Sequence, residues 1–395
     1  MTPQAAYQNR RQARQTSSDQ LRNRDQQTVN LRTAIFLAGV LVAWVVLGGW
    51  GVPWQFLLIP LVLFLATVIY HETVRSKLRA GKLAIEYYQR CLRRLDGQWS
   101  GVGATGEEFL DPQHPCSGDL DLFGHGSLFQ LLNSPVTPVG VKTLASWLAP
   151  GANESLPARA TVTDRQNAIR ALRGQLDLRE RLAIIGPTKQ SQQDALHLQQ
   201  WLARPGGLTA PGIRIVGLLL GLLGIAALGY FFTAYKLSPL LLVLVLQLGF
   251  LYRIREPLLA IKKHSEQAVF ELRRIVQVLS ALETVAGEEE SIARLRNELH
   301  ENQTRVSDII HQLQRHVSQF ENSRRNVVIA PLALISMRGL HYARSIDLWR
   351  TRYGSHIPRW FNTIGELEAL LAFSQLHFEN PGYCFPSLTK QPPQF

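Results

Sequence analysis

The sequence is poor in the residues that build common catalytic and metal sites. Its 395 residues include only three cysteines, Cys91, Cys116 and Cys384, and no two of them form a C-x-x-C pair. This spacing offers neither a zinc site nor a redox pair, and it favours a reducing compartment. The chain also contains no G-x-x-x-x-G-K-[ST] loop, which would hold the phosphates of a nucleotide. We therefore predict that the chain is not an enzyme and holds no cofactor and no metal.

Acidic residues are also scarce relative to basic ones. The 42 lysines and arginines exceed the 30 aspartates and glutamates, which gives a formal net charge of +12 and a pI near 9.9. Two explanations fit this excess. Basic side chains neutralise phosphates in proteins that bind nucleic acid. They also flank membrane spans, where they set orientation and attract anionic lipid.

Hydrophobic residues are concentrated in four long runs. The runs cover residues 33–50, 54–70, 215–235 and 237–252, and each approaches the ~20 residues that a helix needs to cross a ~30 Å hydrocarbon core. A turn rich in glycine and proline at 48–53 joins the first two runs, and Lys236 separates the other two. The pattern predicts four transmembrane helices in two hairpins. The alternative is that the runs form buried core hairpins of a soluble protein.

The basic residues beside these runs predict how the chain is oriented in the membrane. Arginines and lysines precede and follow both hairpins, whereas the two opposite turns contain only Lys236. By the positive-inside rule, both termini and the middle of the chain face the cytoplasm. We therefore predict a multi-pass protein of the cytoplasmic (inner) membrane, with the lipid bilayer as a partner.

The two hairpins divide the chain into segments of different composition. We assign a basic, flexible or loosely helical tail to residues 1–32, the first hairpin to 33–71, a cytoplasmic helical segment to 72–210, the second hairpin to 211–253, long helices to 254–380 and a Pro-rich tail to 381–395. Beyond a break at Gly287, apolar residues recur every seven positions from Ile292 to Phe320, with interruptions at Asn302 and His316. The predicted fold class is mainly α, with a long antiparallel helix pair after the second hairpin.

Two groups of polar residues have more than one interpretation. His114, Asp119, Asp121 and His125 lie close together among glycines, which is typical either of a metal site or of turns held by side-chain hydrogen bonds. Six arginines of the late helices offer contacts to nucleic-acid phosphates, or they form a solvated or membrane-facing positive face. They are Arg324, Arg325, Arg338, Arg344, Arg350 and Arg352.

The stretch that begins at Asp119 resembles a known family. Residues 119–133, DLDLFGHGSLFQLLN, resemble the opening of the core, or lever, domain of the MutS family of mismatch-repair ATPases. Residues 137–148 resemble the family's Thr-x-x-Gly-x-x-x-Leu-x-x-Trp-Leu pattern, and 165–169 and 178–182 resemble its Arg-x-x-Ala-Val and Leu-Arg-x-x-Leu elements. The residues that carry the resemblance are Asp119, Asp121, Ser127, Leu128, Gly140, Trp147 and Arg165.

The resemblance implies a helical core over about residues 111–186 and, more loosely, 255–379, as in the membrane-anchored branch of the family. Family members continue into an ATPase domain with a Walker A loop, and this chain stops near where that domain would begin, so ATP is implied only for the missing domain. No Phe-x-Glu motif for reading mismatches is present. The resemblance therefore implies a non-catalytic, membrane-anchored lever module that works with an ATPase domain in trans and forms a homodimer. The alternative is a module that tethers DNA to the membrane.

Overall fold

A computed structural model describes residues 2–48, 53–114, 117–150, 158–186, 192–327 and 329–387. Most of the turn predicted between the first two runs, at 49–52, lies outside these ranges, as do Cys116 and residues 388–395 of the Pro-rich tail. Within them the chain is mainly α-helical, which confirms the predicted fold class at that level.

Fifteen α-helices and one short β-hairpin follow one another along the described residues. In chain order they are α1 Pro3–Leu47, α2 Leu58–Leu95, α3 Leu128–Leu132, α4 Pro138–Leu148, α5 Arg159–Leu172, α6 Leu176–Ile185, α7 Gln192–Ala203, α8 Pro211–Ala234, α9 Ser238–Arg253, α10 Arg255–Leu282, α11 Glu290–Glu298, β1 His300–Glu301, β2 Thr304–Arg305, α12 Val306–Arg325, α13 Ile329–Ile335, α14 Arg338–Tyr353 and α15 Ile357–Glu379. Thr2, Ser127 and Thr137 cap α1, α3 and α4, because each side chain accepts a hydrogen bond from a backbone N–H of the first turn.

Three helices are long and apolar enough to cross a membrane. They are α1, α2 and α8. In the most apolar 18 residues of each helix, only 0%, 11% and 22% of the residues are buried within the protein. Apolar surface of this extent is unfavourable in water and suits lipid. The fourth predicted span, α9, has 16 residues and a length of ~24 Å. It meets the same criterion only together with α10, to which it is joined at a bend of 78°.

The basic N-terminal segment is not a flexible tail. It forms the first part of α1, which continues into the apolar run without a break. Alanine, glutamine and arginine favour the helix, and the segment runs antiparallel to the polar half of α2. Arg10 contacts Tyr88 near the far end of this pair, and Arg32 contacts His71 beside the apolar runs. Of the two predicted forms, flexible or loosely helical, the structure has the helix. Its packing against α2 and α6 was not predicted, because these partners lie far away in sequence.

Helices α10 and α12 form the predicted antiparallel pair. Near the start of α10, Ser265 donates a hydrogen bond to Glu321 near the end of α12. At the other end, the backbone N–H of Ser307 donates to Glu283, just beyond α10, at 2.8 Å. Leu272, Leu279, Ile310 and Leu313, which lie between these two points, are buried in the main core of the molecule.

The seven-residue seam does not run along a continuous helix. Its members from Ile292 to Phe320 are buried as the spacing predicts, but the strands β1 and β2 separate α11 from α12. Asn302 and Gln303 adopt the left-handed conformation, with φ of 47° and 66°, and close a two-residue hairpin. The interruption that the sequence shows at Asn302 is therefore a chain reversal.

Helix α15 lies at the centre of the helical body formed by the less apolar parts of the chain. Most of its residues are buried, including Trp360 at 0% exposure, because it packs against α4, α5, α7 and α11. Helices α4 and α15 approach closely where each has a glycine at the contact, Gly140 on α4 and Gly365 on α15. A Cβ atom at Gly140 would overlap the carboxyl group of Glu368, and one at Gly365 would lie 3.0 Å from a methyl group of Val139.

Candidate functional site

A buried polar cluster lies where α15 ends against α1 and α2. One carboxylate oxygen of Glu379 accepts hydrogen bonds from the Tyr7 hydroxyl at 3.0 Å and from Gln375 at 3.1 Å. The same oxygen pairs with the guanidinium of Arg94, which balances the charge of a carboxylate that is only 6% exposed. Burial raises the pKa of Tyr7 well above its usual range, so its hydroxyl stays protonated and donates. This cluster ties the N-terminal helix to the C-terminal one.

A second polar cluster ties α1 and α2 to α6. Glu180 is buried, accepts a hydrogen bond from the Tyr88 hydroxyl at 2.5 Å and pairs with Arg14 at 2.7 Å. Arg10 pairs with Asp177 at 2.5 Å, and this hydrogen bond lowers the pKa of Asp177. Basic residues near the N-terminus therefore neutralise acids of the central segment.

A cavity of about 510 Å³ lies beside these clusters. Its wall is built from the polar end of α2, the loop around residues 98–108, the segment that follows α3, and parts of α6 and α15. Burial raises the pKa of Cys91 in this wall to about 11, so the thiol is protonated at neutral pH. The volume lies within the ~300–1,000 Å³ that is typical of small-ligand sites.

One buried carboxyl group in the cavity wall fixes the start of α4. Glu368 on α15 accepts hydrogen bonds from the backbone N–H groups of Val136 at 2.9 Å and Thr137 at 3.3 Å, and the Thr137 hydroxyl also donates to it. Burial raises the pKa of Glu368 to about 7, although these hydrogen bonds and the charge of Arg274 oppose the rise. The group therefore titrates near neutral pH.

The residues that carry the family resemblance do not converge on one site. Ser127 accepts a hydrogen bond from the backbone N–H of Gln130 at 3.2 Å, and Gly140 lies where α4 approaches α15. Trp147 and Arg165 do meet, because the guanidinium carbon lies 3.7 Å from the ring centroid. The remaining three, Asp119, Asp121 and Leu128, are exposed. The members that are not exposed therefore cap a helix, as Ser127 does, or pack against neighbouring side chains.

The acidic and histidine residues between α2 and α3 lie in turns. Asp121 adopts the left-handed conformation with φ of 47°, and Gly124 and Gly126 have φ of 107° and 73°. The ring of His114 bonds to the backbone carbonyl of Pro150 at 3.2 Å. Across the ranges that the structure describes, no three or more His, Cys, Asp or Glu side chains form a group that could hold a metal ion. The backbone conformations agree with the turn interpretation.

The late arginines do not share one uniform basic face. Arg324 and Arg325 pair with Glu321 at 2.7 Å and 3.2 Å. Arg344 donates to a backbone carbonyl in the loop before α8 at 3.2 Å. The other two exposed members lie against aromatic side chains of their own helix: Arg338 beside Tyr342, and Arg352 over Tyr353.

Arg350 lies inside the protein and not on its surface. It is 7% exposed, donates to the backbone carbonyl of Trp201 at 2.9 Å and pairs with Asp347 at 2.8 Å. Asp347 in turn accepts from the backbone N–H of Leu208 at 3.0 Å. Arg350 therefore holds the chain before α8 against α14, and its prediction as a phosphate contact was wrong.

One glycine pattern was missed in the sequence. Residues 101–106, Gly-Val-Gly-Ala-Thr-Gly, fit the letters G-x-G-x-x-G. In dinucleotide-binding folds this pattern follows a strand and opens a helix. Here α2 precedes it and a 3-10 turn at Glu107–Phe109 follows it, so the context of a dinucleotide site is lacking. The loop nevertheless lines the cavity through Val102, Gly103 and Ala104.

Comparison of the chain with protein families, with curated proteins and with solved structures finds no match in any of the three. The similarity to the MutS core therefore stays a prediction from the residues quoted above.

Proposed function

We propose that this chain is a non-catalytic, membrane-anchored lever module related to the MutS core. In this proposal two hydrophobic hairpins anchor the cytoplasmic helical body, and the body transmits movement to an ATPase domain supplied in trans. The partner domain, rather than this chain, binds ATP. A homodimer, as the family resemblance implies, would place two such bodies side by side.

The continuity of α1 and α2 carries this proposal. Each helix passes from its apolar part into its polar part without a break, and α1 is ~68 Å long at 1.5 Å per residue. The polar ends are fixed to α15 through Glu379 and to α6 through Glu180. A rigid helix displaced at one end moves at the other, so these contacts would couple the membrane to the body.

The same contacts support the proposed topology. They join the N-terminal segment, the central segment and the C-terminal helix in one body, which must lie on one side of the membrane. The excess of basic residues beside the hairpins supports a cytoplasmic position for that body.

Two measurements test the proposal. Single cysteines at Thr16, Lys236 and Phe270, in a background without the native cysteines, are exposed to an impermeant maleimide in intact and lysed cells. We expect Lys236 to react in intact cells and the other two only after lysis. Affinity capture from native membrane then asks whether an ATP-binding polypeptide is recovered. Labelling of Thr16 and Phe270 on opposite sides would refute the topology, and capture without an ATP-binding partner would refute the coupling.

The alternative function, DNA tethering through the late arginines, has less support. Arg350 is buried, and Arg324 and Arg325 already pair with carboxylates. If DNA is nevertheless bound, affinity will fall with salt by a log–log slope of about 0.9 for each phosphate neutralised. Measurement of that slope with the full-length protein and with an Arg338→Gln variant tests this alternative.

A further inference from the structure

The cavity beside Glu379 contains an unusual concentration of unsatisfied polar atoms. Among the described residues, twelve buried side-chain nitrogen and oxygen atoms have no hydrogen-bond partner, and five of them belong to residues that line this one cavity. A buried polar atom without a partner destabilises the folded state. Each of these atoms has less than 1 Å² of accessible surface, so a ligand in the cavity would reach them through small rotations of the side chains in its wall.

Four of these five atoms are hydrogen-bond donors. Arg94 Nε, Arg179 Nη1 and Gln130 Nε2 have no partner, and the Tyr87 hydroxyl interacts with the Cys91 thiol, which is a weak acceptor. The orientation of Gln130 is fixed, because its Oε1 accepts from two backbone N–H groups at 3.1 Å and 2.9 Å. The hydrogens of its amide group therefore have no protein acceptor. Donors outnumber the single acceptor, Asn133 Oδ1, by four to one.

The charge of the wall agrees with the excess of donors. Four arginines and two acids line the cavity: Arg90, Arg93, Arg94, Arg179, Glu108 and Glu368. Glu368 is buried and already accepts three hydrogen bonds from Val136 and Thr137. Arg90 and Arg93 are exposed at the rim, where they would attract an anion from solution.

We infer that this cavity binds a small soluble oxyanion, that is, a molecule with a carboxylate or phosphate group. A lipid headgroup is a poorer fit, because Tyr87 and Arg94 lie 17 and 24 residues beyond the end of the apolar run at Tyr70. Along a helix this places the cavity ~25–35 Å from the membrane. The inference goes beyond the proposed lever function and does not depend on it.

The test uses purified full-length protein in detergent, titrated with inorganic phosphate and, in a separate arm, with citrate, at constant ionic strength. We expect at least one probe to raise the thermal unfolding midpoint saturably. Gln130→Glu keeps the acceptor for the two backbone N–H groups but replaces the free amide by a repelling oxygen, so it should weaken binding by about tenfold or more. Gln113→Glu adds the same charge at an exposed loop position and should bind as the wild type does.

Absence of a saturable effect from both probes would overturn the inference, as would equal binding by Gln130→Glu and Gln113→Glu. Tyr87→Phe provides a second variant in case Gln130→Glu does not fold. It removes one hydroxyl donor and keeps the ring, so a folded Tyr87→Phe protein should bind more weakly than the wild type. Unchanged binding by that variant would also count against the site.

A separate observation concerns α13, which lies against the second hydrophobic hairpin. The backbone carbonyl of Ile335, at the end of α13, accepts a hydrogen bond at 2.8 Å from Gln247 of α9. The same amide nitrogen donates to the carbonyl of Leu220 in α8 at 2.9 Å. Gly221 and Gly224 let the chain after α13 approach, because a Cβ atom at either would overlap the carbonyls of Ser336 and Ile335.

If α8 spans the membrane as proposed, these contacts put the end of α13 below the membrane surface. Leu220 and Gly224 lie six and ten residues beyond Arg214, which marks the basic end of α8. At 1.5 Å per residue the contacts lie ~9–15 Å inside the hydrocarbon core, whose half-thickness is ~15 Å. The end of α13 would therefore reach towards the middle of the bilayer.

The composition and hydrogen bonding of this segment suit lipid. No charged residue occurs between Arg325 and Arg338, and Val327 and Leu332 are 87% and 55% exposed. Backbone groups in lipid need internal partners, and here Ser336 donates from its hydroxyl to the carbonyl of Leu332 at 2.6 Å. The apolar side chains therefore face outward while carbonyls at the end of the helix are satisfied.

We propose that α13, Ile329–Ile335, forms a re-entrant segment whose partner is the acyl chains of the cytoplasmic leaflet. This proposal rests on the membrane topology proposed above. Arg324 and Arg325 would then lie at headgroup level before the segment, where they favour anionic lipid.

The test attaches an environment-sensitive fluorophore to single cysteines at Leu332, Leu222 and Phe270 of the full-length protein in vesicles, again without the native cysteines. All three side chains are exposed in the structure, at 55%, 63% and 69%. Leu222 lies on the α8 span and Phe270 on the cytoplasmic body. Quenching by lipids labelled in the acyl chain should be strong at Leu332 and Leu222 and weak at Phe270.

Two outcomes separate the re-entrant segment from the topology. A Leu332 probe that resembles Phe270, while Leu222 is still quenched, would overturn the re-entrant segment and leave the hairpins in place. Weak quenching at Leu222 would show that α8 lies in water, and it would overturn both the topology and the re-entrant segment.

Discussion

Replacement of Glu368 by glutamine is expected to remove a pH dependence of folding stability. The pKa of this carboxyl rises from the ordinary 4.5 to about 7 in the folded chain because the group is fully buried. The folded state therefore binds the proton more tightly than the unfolded state does. The stabilisation that comes from this tighter proton binding is fully present below pH 4.5 and is lost as the pH rises through 7. The pKa difference corresponds to a loss of about 3 kcal/mol across that interval.

The assay is unfolding of the detergent-solubilised protein at a series of pH values from about 4.5 to 8, followed by tryptophan fluorescence. Relative to Glu368→Gln, the wild type should lose about 3 kcal/mol in free energy of unfolding over this range. Glu366→Gln, on the same helix but 30% exposed in its ion pair with Arg294, serves as the control and should keep the wild-type slope. Parallel pH profiles for the wild type and Glu368→Gln would refute the reasoning.

Three further substitutions test other contacts. Tyr7→Phe removes a buried donor to the carboxylate at the end of α15 and should cost about 1–3 kcal/mol in free energy of unfolding, whereas the same change at Tyr383, which is 63% exposed, should have little effect. Gly221→Val would bring a Cβ atom to 2.6 Å from a backbone carbonyl and should lower the thermal midpoint, but Gly229→Val meets nothing within 4 Å and should not. Trp349→Phe loses a buried hydrogen bond of 2.9 Å to the main chain of α12 and should cost about 1–2 kcal/mol, measured by denaturant unfolding.

Periodicity predicted the helical elements well where one local pattern determined the structure. The seam from Ile292 to Phe320 is buried as its seven-residue spacing requires. The same spacing concealed the hairpin, because Leu299 and Val306 are seven residues apart and also face each other across its base. The backbone N–H of Val306 donates to the carbonyl of Leu299 at 3.0 Å. A heptad count cannot distinguish a continuous helix from this reversal.

The polar sites could not be predicted because their members are far apart in the chain. Tyr7 and Glu379 are separated by 372 positions, and Thr137 and Glu368 by 231. Neither pair shares a motif. The cavity likewise draws its donors from α2, α3 and α6. The net charge is only an indirect indication of such a site, because an arginine that lines a cavity, such as Arg179, counts the same as one exposed on the surface.

The packing of the body also limits how the second hairpin can cross a membrane. The loop before α8 contacts α14, because Arg344 donates to the carbonyl of Thr209 at 3.2 Å, and α10 enters the same core at Ile261, which is fully buried. Residues on both sides of the hairpin therefore belong to one packed body. If α8 crosses, the chain must return through α9, whose ~24 Å is shorter than a ~30 Å hydrocarbon core. Local thinning of the bilayer resolves this mismatch at modest cost, and a re-entrant α13 beside α9 would favour it, because an inserted helix displaces lipid from one leaflet at that point.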